Sequence, residues 1–282
     1  MKARIAVVGL VGNTVFMGIP RFHVGGETIH ATDLHTEFGG KGFNQAVAAA
    51  RQGAQVAFLG AAGADEARRI GDFLAKEGID GVIAEKIVPS AYATILTDGT
   101  GETRVTVFPG AALDVRDVDG FASRIVDADI LLLNNEVPEN VNLAALGIAL
   151  EHGVKVVMNP APARPLPDAM RRSVFLFTPH EFEETMLGNV EGEVVTTLGA
   201  RGCRIRSTGE VVPASHCAAA VDSTGAGDVF TATLCVRLAE GENLKDACAA
   251  ANAAAGESVS VRYVLPSIPG RNSPHFTPGW VR

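Results

Sequence analysis

The chain has 282 residues, of which 47% are hydrophobic and 6% aromatic, and this length allows one large α/β core. Its formal net charge of -8 argues against duplex nucleic acid as a partner, because phosphate binding needs a concentrated basic face. A small anionic ligand is not excluded, since backbone N–H groups bind an anion without Lys or Arg.

Apolar runs are short throughout the chain. None reaches the roughly 18 residues needed to cross a bilayer, so no membrane partner is expected. The N-terminal MKARIAVVGL has too brief an apolar run for a signal peptide and is interpreted as a first buried strand. The cysteines show no C-x-x-C pairing and are interpreted as reduced core residues of a cytoplasmic protein. They are Cys203, Cys217, Cys235 and Cys248.

Strand-like and helix-like patterns alternate along the chain. In chain order, the predicted elements are strand 4–8, helix 44–51, strand 55–59, helix 65–76, strand 130–133, helix 139–152, strands 154–158, 174–177 and 194–198, and helices 227–238 and 244–259. Such alternation predicts a mainly parallel sheet covered by helices on both faces.

Two segments break this alternation. Residues 14–37 have no good helix and several β-like pieces, and residues 91–108 form a predicted hairpin that turns at Asp98-Gly99-Thr100-Gly101. We interpret them as one small β unit built from two insertions. The main α/β unit then comprises 1–13, 38–90 and 109–282, with an irregular tail after Pro266.

The stretch VDSTGAGDVF, residues 221–230, places a bare glycine loop before an apolar helix. A helix N-terminus carries unpaired N–H groups and a partial positive charge, and Gly225 and Gly227 let a charged oxygen approach them. The loop therefore indicates an anion-binding site. The competing interpretation is ordinary N-capping by Asp222, Ser223 or Thr224.

Asp228 falls in the first turn of the helix that follows this loop. A carboxylate beside a phosphate is a poor binding group, because like charges repel. It is well suited to accept a hydroxyl proton during attack on that phosphate. Asp222 and Thr224 would shape the loop, cap the helix or touch a cation.

A second glycine-rich segment, EFGGKGFNQA, begins at residue 37 and opens a predicted helix. Lys41 and Asn44 offer hydrogen-bond donors at the start of that helix, which suits the recognition of hydroxyl groups. Alone, the pattern is also compatible with a tight turn that carries a solvated Lys.

Together the two segments resemble the paired signatures of the ribokinase-like (PfkB) carbohydrate kinases, G-G-K-G-x-N-x-A and D-[ST]-T-G-A-G-D-x-F. The resemblance covers nearly the whole chain and includes the NPAPA run at 159–163 and the TLGARG run at 197–202. It implies a three-layer α/β/α fold, with a mainly parallel central sheet, plus a small β-sheet lid at 14–37 and 91–108.

The resemblance also implies a function and a set of site residues. It implies an ATP- and Mg²⁺-dependent phosphotransferase that acts on a primary hydroxyl of a small sugar or sugar derivative, and a homodimer formed through the lid. The implied roles are general base (Asp228), anion hole (Gly225, Ala226, Gly227), sugar binding (Gly40, Lys41, Asn44, Glu136), ATP binding (His180, Thr197, Gly199, Gly202, Asn252) and metal organisation (Glu183, Asp222).

Several positions depart from the family pattern. Thr14 stands where sugar kinases of this type usually have Asp, so a carboxylate for two sugar hydroxyls is missing and ribose is in question; Asn13 and Asp33 are candidate substitutes. His180 replaces an Asn, and the chain is short between 187 and 194. Tyr263 stands where a Gly often helps to form a monovalent-cation site, which leaves K⁺ activation open.

Other functions stay open on the sequence alone. A nucleoside kinase of the same family is the first alternative, with Phe22 and Phe43 as candidates to stack on a base. A sugar phosphate is less favoured, because only Arg21 and Arg104 are basic candidates near the lid. A catalytically weak sugar-binding or regulatory protein on this scaffold is the alternative outside catalysis. A nicotinamide oxidoreductase lacks its glycine fingerprint after the first strand.

Overall fold

A computed structural model describes residues 2–214 and 220–272 of the chain. Cys217 and the end of the C-terminal tail lie outside these residues. Two sheets occur within them. The larger sheet contains nine strands, namely β1 (Arg4–Val8), β4 (Gln55–Gly63), β5 (Asp80–Lys86), β8 (Ile130–Asn134), β9 (Lys155–Asn159), β10 (Leu176–Phe177), β11 (Glu193–Thr197), β12 (Cys203–Ile205) and β13 (Val211–Val212).

The larger sheet has the strand order β13-β12-β11-β10-β9-β8-β1-β4-β5. The strands from β11 to β5 pair in parallel, whereas β12 and β13 add an antiparallel edge. Parallel strands need crossover connections. The described helices are α1 (Lys41–Arg51), α2 (Ala64–Lys76), α3 (Val115–Val126), α4 (Glu139–Glu151), α5 (Asp168–Ser173), α6 (Glu181–Leu187), α7 (Ala226–Ala239), α8 (Leu244–Ser258) and α9 (Val264–Ser267), with a 3₁₀ helix at Gly199–Arg201. Helices α1 to α6 lie in the connections between strands, whereas α7 to α9 follow β13.

Helices cover both faces of the larger sheet and form two separate hydrophobic layers. Successive residues of β1 alternate between the layers: Ile5 and Val7 belong to the layer beneath α1, α2, α7 and α8, while Ala6 and Val8 belong to the layer beneath α3 and α4. This alternation follows from the two-residue period of a strand. The three-layer fold with a mainly parallel sheet is therefore confirmed.

The smaller sheet contains β2 (Gly12–Gly18), β3 (Asp33–Gly39), β6 (Ala91–Thr97) and β7 (Thr103–Phe108), in the order β3-β2-β6-β7. The pairs β2–β3 and β6–β7 are antiparallel, and β2 runs parallel to β6. The two segments that break the alternation in the sequence thus meet in one sheet. Among the described residues, no helix is long and apolar enough to cross a membrane.

Some elements were missed in the sequence. Helix α3 begins with a capping box between Asp114 and Asp117, and this spacing was a usable signal. Strand β4 continues to Gly63, four residues past its predicted end, because the small residues of GAAG hide a strand pattern. The strand predicted at 174–177 is shorter, since only Leu176–Phe177 pair with neighbouring strands.

A buried ion pair joins the ends of α1 and α2, and its cation also reaches the C-terminal end of the described chain. The Arg51 guanidinium binds the Glu77 carboxylate at 2.7 Å, and their side chains are only 2% and 3% exposed. Arg51 Nη1 also donates to the carbonyl oxygens of Leu265 and Ile268. This cation therefore fixes the position of α9, which neighbours the candidate site.

We expect Glu77→Ala to lower the free energy of unfolding by about 3–5 kcal/mol, because it removes a buried carboxylate that pairs with a buried guanidinium. Chemical denaturation followed by circular dichroism measures the change. The matched control is Glu102→Ala, which breaks the exposed Arg104–Glu102 pair and should cost less than about 1 kcal/mol. Equal losses in the two variants would contradict this assignment.

Candidate active site

The N-terminus of α7 is formed by glycine and lacks a side-chain cap. Gly225 occupies the N-cap position in the left-handed region, at φ 81°, and no side-chain oxygen accepts a hydrogen bond there. The simple N-capping interpretation of this loop is therefore wrong. Asp222 instead accepts from the N–H of Thr224 at 2.9 Å and from the N–H of Tyr263 at 3.0 Å, which shapes the turn before the helix.

Asp228 is buried, at 5% exposure, in the first turn of α7. Two amides of α1 donate to its carboxylate: Asn44 Nδ2 to Oδ2 and Gln45 Nε2 to Oδ1, each at 3.0 Å. Burial raises the pKa of the Asp228 carboxyl above its ordinary value, while Lys41 and the two amides act in the opposite direction. A carboxylate held in this way is oriented, and its raised pKa makes it a stronger base than a solvated aspartate.

Lys41 opens α1 and joins two acidic side chains. Its backbone N–H donates to Glu136 Oε2 at 2.6 Å. The Asp228 carboxylate, and to a smaller extent Glu136, raises the pKa of the Lys41 ammonium, which stays charged. Burial raises the pKa of the Glu136 carboxyl to about 7. The turn before α1 needs a glycine at position 40, because Gly40 has a φ of 123°, which other residues rarely adopt. A side chain at this position would also collide with the Leu10 carbonyl.

A cavity of about 850 Å³ lies against the Asp228 carboxylate, and all the residues predicted for ATP binding and the anion hole line it. The predicted residues on its wall are Lys41, His180, Glu183, Thr197, Gly199, Gly202, Gly225, Ala226, Gly227, Asp228 and Asn252. Four predicted site residues do not line this cavity. Asn44 and Glu136 connect to it through the hydrogen bonds above, Gly40 precedes Lys41 at the start of α1, and Asp222 shapes the loop.

Three of the lining residues also have local structural contacts. Glu183 Oε2 accepts the N–H of His180 at 2.8 Å, which closes a capping box at the start of α6. Asn252 Nδ2 donates to the carbonyl oxygens of Val212 and Pro213, so this amide also fixes the strand edge beside the cavity. These contacts hold the wall of the cavity in place.

Two residues next to the site, one beside Asp228 and one beside Glu136, were not predicted from the sequence. Gln45 is completely buried and bridges Asp228 and Asn159 Oδ1, which lies 3.1 Å away. A long polar residue inside an Ala-rich helix was the available signal. Arg164 lines a smaller cavity of about 230 Å³ that also borders Glu136 and Leu10. It follows the NPAPA run in the sequence.

Some candidates for substrate contacts lie elsewhere. Phe43 is fully buried and packs against Phe58 and Phe73 in the core, so it does not face a base-binding surface. Phe22 lies under the Arg104 guanidinium, at 3.8 Å from its ring centroid. Arg21 pairs with Glu27.

A sequence profile described as "pfkB family carbohydrate kinase" matches residues 2–270. This chain belongs to the PfkB family of carbohydrate kinases. The ribokinase of Haemophilus influenzae is 32% identical to it, over 96% of this chain and 97% of the relative.

Two solved structures extend this comparison. The ribokinase of Arabidopsis thaliana, complexed with ribose and ATP, superposes with a TM-score of 0.86 at 28% identity, over 97% of this chain and 98% of the other. A nucleoside kinase of Burkholderia thailandensis, in complex with inosine, gives a TM-score of 0.81 at 20% identity, over 96% and 95%. The second likeness shows the fold alone.

The hydrogen bond from Gln45 can be tested through the pH dependence of catalysis. In Gln45→Leu the Asp228 carboxylate loses a donor that lowers its pKa, so this pKa should rise further. If the ionised form of Asp228 is the active one, the acidic limb of the kcat profile should move to higher pH.

The matched control for Gln45→Leu is Gln52→Leu, at the C-terminal end of α1. That buried amide donates to the Pro269 carbonyl, away from Asp228. Its acidic limb should coincide with that of the wild-type enzyme. If the acidic limb of the kcat profile is unchanged in Gln45→Leu as well, Gln45 does not affect the Asp228 carboxyl during catalysis.

Proposed function

We propose that this ATP-dependent sugar kinase of the PfkB family phosphorylates a primary hydroxyl of a small sugar or sugar derivative, with Asp228 as general base. The proposal rests on the position of one buried carboxylate, that of Asp228, between side-chain amides of α1 and the backbone N–H groups at the start of α7. Amides of α1 orient it, and it lies three residues after Gly225, the N-cap residue of α7. This arrangement suits proton removal beside a phosphoryl group whose developing charge is stabilised by N–H groups.

The remaining roles follow from position. ATP would occupy the cavity of about 850 Å³, with its transferred phosphoryl at Gly225–Gly227 and the rest of the nucleotide along His180, Thr197, Gly199, Gly202 and Asn252. The sugar would contact Gly40, Lys41, Asn44 and Glu136, where the Lys41 ammonium and the Glu136 carboxyl offer donors and an acceptor for hydroxyl groups. The small sheet, residues 14–37 and 91–108 in the proposed division of the chain, would act as a lid that keeps water from the phosphoryl group.

At this site Mg²⁺ would be bound mainly by the phosphates of ATP, with few direct protein ligands. Among residues 2–214 and 220–272, no group of three or more His, Cys, Asp or Glu side chains could hold a metal ion. Mg²⁺ usually keeps several waters and uses few protein carboxylates when phosphates are present. Glu183, on the cavity wall, is suited to hold those waters, and the ion would neutralise charge on the phosphates. Asp222 is less suited, because each of its oxygens already accepts a backbone N–H.

A nucleoside or another sugar derivative is the second candidate substrate. The cavity of about 230 Å³ next to Glu136 has apolar walls at Leu10 and Val137 and a cationic side chain at Arg164, so it would accept a substituent beyond a pentose. Thr14, a buried residue with 8% exposure, carries a hydroxyl where the family pattern has a carboxylate.

A coupled ADP-release assay over pentoses, hexoses, sugar phosphates and nucleosides, with and without K⁺, would identify the acceptor and the cation requirement.

Asp228→Asn should lower kcat by about 10²–10⁴-fold, because the amide cannot accept the hydroxyl proton. ATP binding, measured by calorimetry, should change little. The matched control is Asp246→Asn, in the first turn of α8 and exposed, which should keep wild-type turnover. Near-normal turnover in Asp228→Asn would overturn the assignment, and sugar binding without turnover in the wild-type protein would indicate a binding protein.

The small sheet also supports a homodimer. Its exposed apolar side chains lie on both faces, Val105 and Val107 on one and the paired Tyr92 and Phe108 on the other. A second copy would cover the face with Val105 and Val107. Light scattering should give twice the 29.3 kDa mass of one chain. Val105→Lys should shift the mass toward the monomer, whereas Val126→Lys, an exposed position on α3, should not; a wild-type monomer would contradict the dimer.

A further inference from the structure

Tyr263 has an unusual backbone conformation beside the anion-binding turn. Its φ is 66°, and it is the only non-glycine residue with positive φ among residues 2–214 and 220–272. Together with a ψ of 164°, this φ lies in a region that is essentially restricted to glycine, so other interactions must hold the residue in place. Those interactions come from two sides.

The Tyr263 side chain is held by the small sheet. Its hydroxyl donates to Asp33 Oδ2 at 2.5 Å. Its ring stacks on His35, with centroids 3.9 Å apart and an angle of 15°, and meets the edge of Phe16 at 5.3 Å. Asp33 and His35 lie two residues apart on β3, and Phe16 is the partner of His35 on β2. The phenol is thus a contact between the main unit and one face of the small sheet.

The same strand holds the two residues that follow Tyr263. Glu37 Oε1 accepts the backbone N–H groups of Val264 at 3.0 Å and Leu265 at 3.3 Å. The Glu37 side chain is only 5% exposed, and its other oxygen lies 3.0 Å from His35 Nε2. Three alternate residues of β3 therefore engage three consecutive residues, 263–265.

The backbone of this segment reaches the turn before α7. The Tyr263 N–H donates to Asp222 Oδ2, and Asp222 Oδ1 accepts the N–H of Thr224. Val264 packs against Gly225 so closely that a Cβ on Gly225 would lie 2.6 Å from Val264 Cγ1. A displacement of Tyr263 would therefore change both the Asp222 turn and the packing of the N-cap glycine.

We infer that Tyr263 is a positioning residue that couples the small sheet to the anion-binding turn at 222–227. When the small sheet is in place over the site, the Asp33–Tyr263 contact holds residues 263–265, and these hold Asp222 and Gly225. The N–H groups of the turn are then fixed where charge develops during transfer. The inference rests on the proposed function, but the structural coupling itself can be measured without substrate.

The first experiment measures this coupling by hydrogen exchange of the substrate-free protein. Tyr263→Phe removes only the hydroxyl and should increase exchange in two separate regions, β3 (Asp33–Gly39) and the turn at 222–228. The matched control is Tyr92→Phe, which removes the other tyrosine hydroxyl of the chain from an exposed position on β6. It should change neither region. Faster exchange in β3 alone would overturn the coupling.

The second experiment separates positioning from binding. At saturating sugar and ATP, Tyr263→Phe should lower kcat about tenfold, as expected for the loss of a hydrogen bond to an ionised carboxylate, with the Kd of ATP unchanged. Asp33→Asn should lower kcat as well, and the double variant should be no worse than the more impaired single one. A kcat within twofold of wild type in both single variants, or strictly multiplicative losses, would refute the role.

These readouts distinguish the inference from the proposed function. Thermal unfolding identifies any variant that fails to fold, in which case Asp33→Asn tests the contact from the side of the small sheet, where it also weakens the ion pair of Asp33 with Arg262 at 3.2 Å. If the wild-type protein phosphorylates no sugar or nucleoside, the proposed function fails, and the exchange experiment still decides whether Tyr263 couples the two regions.

Discussion

The site depends on the two amide hydrogen bonds that hold the Asp228 carboxylate. Asn44 and Gln45 lie on α1, and Asp228 lies on α7. The two bonds therefore join residues that are 184 and 183 positions apart in the chain. A buried carboxylate without donors would be costly and would lose its charge. With them, α1 and α7 pack side by side and present the carboxylate and the bare helix N-terminus to the same cavity.

Burial gives the other charged groups their properties. Glu136 has a pKa raised to about 7 by desolvation, and Lys41 keeps its charge because Asp228 and Glu136 attract it. Lys41 and Asp228 therefore each affect the pKa of the other, and both affect that of Glu136. In such surroundings, charges interact more strongly than in water, so small displacements have large effects. The contacts of Glu37 and Tyr263, which tie the small sheet to the main unit, therefore bear on the electrostatics of the site.

The structure shows which contacts are made by residues that depart from the family pattern. Tyr263 replaces a residue type that tolerates positive φ freely, and its phenol gains contacts with Asp33, His35 and Phe16 that glycine cannot make. Phe43, a candidate for stacking on a base, belongs to the core instead. A side chain next to a binding motif in sequence points to the site or away from it according to the helix phase, and the motif spacing does not settle that direction.

The sequence by itself determined the fold class, the family and the two glycine-rich turns, because strand–helix alternation and residues without side chains leave direct traces in the order of amino acids. It also predicted which residue types would surround a phosphate. Only the tertiary structure decided that Gln45 joins Asp228, that Arg164 borders a second cavity, and that Tyr263 connects the small sheet to the turn before α7. These relations join residues far apart in the chain. The packing of whole elements sets such distances, and no local pattern records them.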